Sequence, residues 1–282
     1  MWANAVFMYF IDFMKISALA PMKYSVQRKA VARSTAVWLT FAVASTCSVA
    51  TLAAEITMFA AGAAKALVER VEPSFTQTSG HRISATFDTV GAQRERVEKG
   101  ARPDVVILSS AAIAQLNKLG LIDSASIRDI GDVQVGLAVA ASAPPPNIST
   151  SDALRATLLA AISIAYADPA RGATAGAHFA KVLRELGVAD ELAKRITVLP
   201  FGVEVIEAVG AGKFELGVSQ SSEIVQHNGV RYVGALPAPY RLSTRYQIAA
   251  LKDRPNAARL IDFLHSPAAR DAARASGFAA ME

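Results

Sequence analysis

The chain has 282 residues, 52% hydrophobic and 19% charged, which allows a large core and excludes a disordered chain. Its net charge of +5 comes largely from the first 54 residues, which hold five of the 29 Lys and Arg but one of the 24 Asp and Glu. The 24 bases that remain face 23 acids, which excludes the basic footprint of a nucleic-acid binder.

Residues 22–54 read as a signal peptide: a basic opening that runs to Arg33, an apolar stretch from Ser34 to Ala50, and Leu52-Ala53-Ala54 before Glu55 as the cleavage site. The apolar stretch falls short of the roughly 20 residues of a spanning helix. Cleavage and a periplasmic product are therefore expected, with a retained anchor as the alternative. Residues 1–21 precede this leader. Met22 is the expected natural start, which makes the first 21 residues an over-extended start; a second membrane segment is the alternative. The single cysteine, Cys47, lies in the leader behind Thr46, where a lipoprotein signal would want a small residue. A cleaved chain has no cysteine, which excludes disulfides, thiol catalysis and thiolate metal sites.

From Glu55 onward short apolar strands alternate with amphipathic helices. Strand 56–59 is followed by a helix over 63–77, with Leu67, Val68, Val71 and Phe75 at helical spacing. Strand 82–87 leads to helix 90–99, closed by Gly100, and strand 105–108 to a helix capped by Ser109-Ser110 that runs to 119. A longer strand covers 133–141, before Pro144-Pro145-Pro146. Helix 151–161, strand 163–167, helices 174–186 and 189–194, strand 196–199, helix 203–209 and strand 215–218 restart the alternation. Strands 230–235 and 244–251 precede one C-terminal helix over 256–276.

Repeated β-α-β units require mostly parallel sheets flanked by helices. Two such sets predict an α/β fold of two lobes joined by two crossing strands. Lobe 1 is 55–138 with 240–282, and lobe 2 is 139–239. Ligands of open α/β sheets bind beyond the carboxyl ends of the strands, so the loops there would face each other across a cleft. Those loops are small and polar. Phe59-Ala-Ala-Gly62-Ala-Ala-Lys65, Phe87-Asp88-Thr89-Val90-Gly91 and Asp168-Pro169-Ala-Arg171-Gly172-Ala-Thr174 each open a helix with exposed backbone N–H groups, which favour an anion.

Chemistry-bearing motifs are few. His81, His178, His227 and His265 have no metal-ligand spacing and read as surface or packing residues. His227 with Glu223, and His265 with Asp262, read as surface pairs. Gly210-Ala-Gly-Lys213 lacks the hydroxyl residue and following helix of a phosphate loop. No metal or organic cofactor is implied.

Residues 56–282 resemble the periplasmic molybdate-binding proteins of the type II solute-binding fold. The resemblance is carried by Ile56-Thr-Met-Phe-Ala-Ala61, Phe75 with Gly80, Val97-Glu-Lys-Gly-Ala-Arg-Pro-Asp-Val-Val-Ile107, Asp168-Pro169, Leu216-Gly217-Val218 and the tail Ile261-Asp-Phe-Leu-His-Ser-Pro-Ala-Ala269 with Gly277-Phe278. It implies a monomeric binding protein that captures a small anion, a molybdate-like oxyanion or an organic carboxylate, for an ABC permease and its ATPase. The family's two hydroxyl positions fall on Ala63 and Val90, its tyrosine on Gln220, one backbone donor near Gly202 and another at the loop around Thr174. Losing several charge-assisted donors, each worth about 1.5–3 kcal/mol, favours a carboxylate over a metal oxyanion. The ligand residues expected are Gly62, Ala63, Thr89, Val90, Arg171, Thr174, Gly202 and Gln220; Ser219, Lys65 and Arg94 are further donors. Two alternatives stand beside this reading. One is a periplasmic isomerase of a small polycarboxylate, similar to aconitate isomerase, with Asp88 or His178 as general base; the other is a membrane-tethered ligand sensor.

Overall fold

A computed structural model describes residues 55–279. The signal peptide and the start at Met22 lie outside the described residues. The strands are β1 (Glu55–Ala61), β2 (Arg82–Asp88), β3 (Val105–Ser109), β4 (Arg128–Ala140), β5 (Ile164–Ala167), β6 (Ile196–Leu199), β7 (Leu216–Gln220), β8 (Val230–Ala235) and β9 (Ser243–Ala250). The helices are α1 (Lys65–Ser79), entered through a 3₁₀ turn at Gly62–Ala64, then α2 (Val90–Glu98), α3 (Ser110–Lys118), α4 (Ser151–Ala160), α5 (Thr174–Glu185), α6 (Ala189–Leu192), α7 (Gly202–Gly210), α8 (Ser221–Ile224), α9 (Ala257–Leu264) and α10 (Pro267–Ala275).

The strand order is β2-β1-β3-β9-β4-β7-β5-β6, with β8 also on β4. Within each β-α-β set the pairing is parallel: β1 with β2 and β3, and β5 with β6 and β7. The two long strands are antiparallel to their neighbours and connect the sets. β4 runs against β9 through Gln134, then against β7 and β8 from Val135 onward. Strand β4 is thus shared by two sheet regions, and β9 returns the chain to the first of them.

Each region has its own core. Ile56, Phe75, Leu108, Ile113, Ile248 and Leu260 pack in one, with an edge-on Phe75–Phe263 pair at 5.3 Å. Leu137, Leu154, Phe179, Leu183 and Leu216 pack in the other, with Tyr166 edge-on to Phe179 at 5.3 Å. Small residues, Ala138 and Ala165 among them, let α7 lie close on the second region through Val205 and Ile206.

Two expectations need correction. The C-terminal helix is two helices, because Ser266 caps α10 through the Ala269 N–H at 3.3 Å and Pro267 occupies its first position. A proline there lacks the N–H that would continue α9 and suits a helix start. Strand β4 begins at Arg128, not Val133; its polar first half is held by backbone pairing to β9, which no apolar run announces. Among the described residues, no helix is long and apolar enough to cross a membrane.

Candidate functional site

The loops that follow β1, β2, β5, β6 and β7 line one cavity of about 330 Å³. Seven of the eight residues expected at the site lie on its wall: Gly62, Ala63, Thr89, Val90, Thr174, Gly202 and Gln220. Arg171 is placed outside. Its guanidinium binds Asp88 at 3.2 Å and lies 4.8 Å from the ring centre of Phe201.

Three helix beginnings meet on this wall without a side-chain cap, a feature that α6 and α9 share away from it. The turn at Gly62 follows Ala61, α5 follows Ala173, and α7 follows Phe201, and none of the three has a side-chain cap. Helices α3, α4 and α10, whose residues are not on the wall, are capped by Ser109, Thr150 and Ser266. The first N–H groups of a helix have no intrahelical acceptor, and a Ser or Thr cap would satisfy one of them. Alanine or phenylalanine at the cap leaves those donors to an occupant of the cavity, and the helix dipole favours negative charge there.

The start of α2 is different: Thr89 lies on the wall, but its hydroxyl is engaged within the protein. Its hydroxyl accepts from the Ala92 N–H at 3.2 Å and donates to the Arg171 carbonyl. The Gly91 N–H donates to the Gly172 carbonyl at 3.2 Å. These contacts, with the Asp88–Arg171 ion pair, clasp the loop after β2 to the loop after β5 beside the cavity. Asp88 is also bound by Arg96 at 3.0 Å, so both its oxygens are occupied by guanidinium groups.

The sequence reading missed two side chains on the wall. Glu223, in the first turn of α8, turns its carboxyl into the cavity. Among the described residues its hydrogen-bond partners are neutral: the Ser219 hydroxyl donates to Oε2, and so does the Gln220 N–H at 3.4 Å. Burial pushes this carboxyl above the usual glutamate range, and those two donors offset part of the effect. In this position the carboxyl occupies space that two glycines leave open. A Cβ on Gly202 would lie 2.2 Å from Oε2, and one on Gly62 would lie 2.9 Å from Oε1. Glu223 was read as the partner of His227, but that imidazole accepts from the Gly229 N–H at 3.0 Å instead.

The second is Tyr246 of β9, which is 1% exposed and reaches the wall beside Thr174 and Gln220. Burial raises its phenol pKa first, the charge of Glu223 adds to this, and the nearby Thr174 and Gln220 side chains act in the opposite sense. Gln220 is 3% exposed, and neither polar atom of its amide completes a hydrogen bond of normal geometry. Only the capping spacing from Gln220 to Glu223 was visible beforehand; nothing local marks Tyr246, which is brought in by the crossing strand.

The other charged candidates are occupied. Lys65 pairs with Glu69 at 3.8 Å on the wall, and Arg94 lies off it with Glu98 at 3.3 Å. His178 also lies off the wall, its Nε2–H donating to the Tyr240 carbonyl at 2.7 Å. His265 bonds the carbonyls of Ile261 and Asp129, not Asp262. Among the described residues, no group of three or more metal-ligating side chains comes together.

A family model described as bacterial extracellular solute-binding protein matches residues 56–279. A protein of Pseudomonas sp. called aconitate isomerase is 29% identical over 232 residues, which cover 78% of this chain and 84% of that one. The periplasmic molybdate-binding protein of Azotobacter vinelandii superposes with a TM-score of 0.67 at 19% identity, covering 80% of this chain and all of that one. The sulfate-binding protein of Mycobacterium tuberculosis H37Rv superposes with a TM-score of 0.63 at 19% identity, over 80% of this chain and 86% of the other. At these identities the two solved structures speak for the fold.

Proposed function

The chain belongs to the bacterial extracellular solute-binding proteins, and from that premise we propose that it is a periplasmic receptor that captures a small organic carboxylate and delivers it to an ABC permease and its ATPase. The observation that carries the reading is the set of uncapped helix beginnings at Gly62, Thr174 and Gly202 on one cavity wall. Their N–H groups supply hydrogen bonds and a favourable potential to an anion without any fixed cation. Lobe 1 is 55–138 with 240–282, lobe 2 is 139–239, and the ligand closes them by hinge motion about β4 and β9. Gly62, Ala63, Val90, Thr174, Gly202 and Gln220 contact the ligand. Thr89 and Arg171 hold the clasp.

A carboxylate suits this wall better than a tetrahedral metal oxyanion. Ala63 and Val90 have no hydroxyl to donate, and Glu223 is a further acid in the same space. A thermal-shift screen of molybdate, tungstate, sulfate, phosphate and small di- and tricarboxylates tests the reading. Melting raised by one or more carboxylates is expected; melting raised by molybdate alone overturns the choice of ligand.

A second reading is favoured by one specific observation, the carboxyl of Glu223 inside the cavity, together with the similarity to an aconitate isomerase. Glu223 would take a proton from the carbon next to the double bond of a bound unsaturated polycarboxylate and return it to the far end of the allylic system. Proton NMR of trans-aconitate with the protein decides between them: a receptor returns the ligand unchanged, and an isomerase yields the cis isomer.

A further inference from the structure

We propose that Glu223 makes ligand binding proton-linked: it takes up one proton when a carboxylate enters the cavity and donates it to a ligand oxygen in a hydrogen bond. The inference rests on the carboxylate-receptor reading and names how that site compensates the charge of its ligand.

Three observations meet on this residue. Its carboxyl lies between the helix beginnings at Gly62 and Gly202, whose missing Cβ atoms make the space it occupies. An anion drawn to those beginnings must therefore come close to the carboxyl of Glu223. Its hydrogen-bond partners among the described residues, Ser219 and the Gln220 N–H, both engage Oε2 and are neutral. Oε1 thus faces the cavity with neither of those donors on it.

The charges around it are accounted for. Lys65 and Glu69 of α1, which pair with each other, and Asp88 at the end of β2, held by two arginines, share the cavity with Glu223. Tyr246 of β9 faces it as a neutral phenol whose ionisation is opposed by burial and by Glu223. Residues on the wall from α5, α7 and β7 are uncharged. Two carboxylates brought together in such a site repel strongly, and one proton between them converts the repulsion into a short charge-assisted hydrogen bond. That proton comes from solvent, sits on Oε1 of Glu223, and is accepted in hydrogen bonding by a ligand oxygen. Burial, which already favours the protonated acid, assists the uptake.

Calorimetric titration of trans-aconitate, citrate and succinate in two buffers of different ionisation enthalpy counts protons bound with the ligand. At about pH 7.5 these ligands are largely ionised in solution, so uptake on binding reports a proton taken into the complex, and its loss in E223Q assigns that proton to Glu223. The wild type is expected to take up about one proton per ligand, with affinity falling about tenfold per pH unit in that range. Glu223→Gln should abolish the uptake and flatten the pH dependence, while Glu185→Gln, in an exposed pair with Lys181 off the cavity wall, should keep the wild-type profile. Carboxylate binding without proton uptake by the wild type, or the same uptake in E223Q, overturns the assignment and leaves the receptor reading standing. If no carboxylate binds either protein, both fall. The wild-type proton count needs no variant, so it decides the matter even if E223Q folds poorly.

Discussion

Substituting Gly91 by alanine should separate ligand affinity from fold stability. Gly91 is the second residue of α2, and alanine there raises helix propensity by up to about 1 kcal/mol. Its Cβ, however, would lie 2.7 Å from Gly172 Cα and 3.1 Å from the Arg171 carbonyl oxygen, both backbone atoms of the opposing loop. Carbon atoms in contact sit about 3.5–4 Å apart, so the loops must part by roughly 1 Å. The Gly91 to Gly172 hydrogen bond, already 3.2 Å long, is then lost. Overpacking costs about 1–3 kcal/mol and the hydrogen bond about 0.5–1.5 kcal/mol, in part the same loss. A net penalty of about 2–3 kcal/mol on the closed form weakens binding roughly 30- to 150-fold. The free protein escapes the clash by opening, so its melting temperature should stay level or rise slightly. Isothermal titration with the most strongly stabilising carboxylate, beside thermal melts of the free protein, reads both quantities. Wild-type affinity in G91A would refute closure through this clasp.

Gln220→Ala should weaken ligand binding about tenfold or more, as expected for a neutral donor to a charged ligand, while leaving the melting temperature nearly unchanged because the amide forms no normal hydrogen bond in the free protein; isothermal titration and melting curves check both halves. Arg171→Ala should lower affinity about 3- to 10-fold without touching the cavity wall, since it removes a half-exposed ion pair and a stacking contact from the clasp, again measured by titration. Stability of the free protein should respond to Glu223. Its folded pKa is raised, so the stability it contributes is full below the ordinary glutamate value and is lost as pH rises through the folded value. Urea melts of the wild type and E223Q across that window should show the wild type losing stability relative to the variant, and parallel curves would contradict this.

Much of the fold was legible from residue spacing. Ser109 and Gly100 marked helix ends correctly, because caps act through bonds to their own neighbours. The β-α-β alternation identified the strand-end loops, and those loops placed seven expected residues on the cavity wall. What was not legible has one origin. Thr89 and Arg171 were expected at the ligand and Asp88 as the base of the alternative reading, and spacing did not show that each is engaged by the loop from the other sheet region or by a neighbouring helix. Glu223 was assigned to His227, four residues on, although its carboxyl turns inward to the space left by Gly62 and Gly202.

The succession of strands and helices, the small residues that open the helices and the family resemblance could all be read from residue order, because each depends on periodicity or on contacts within a few residues. The entry of Tyr246 and Glu223 into the cavity, and the pairing of Asp88 with Arg96 and Arg171, had no such local trace. These depend on contacts between residues far apart in the chain, such as Asp88 with Arg171 or Gly62 with Glu223. No local pattern records which distant charge will neutralise a carboxylate and which carboxylate will be buried without one.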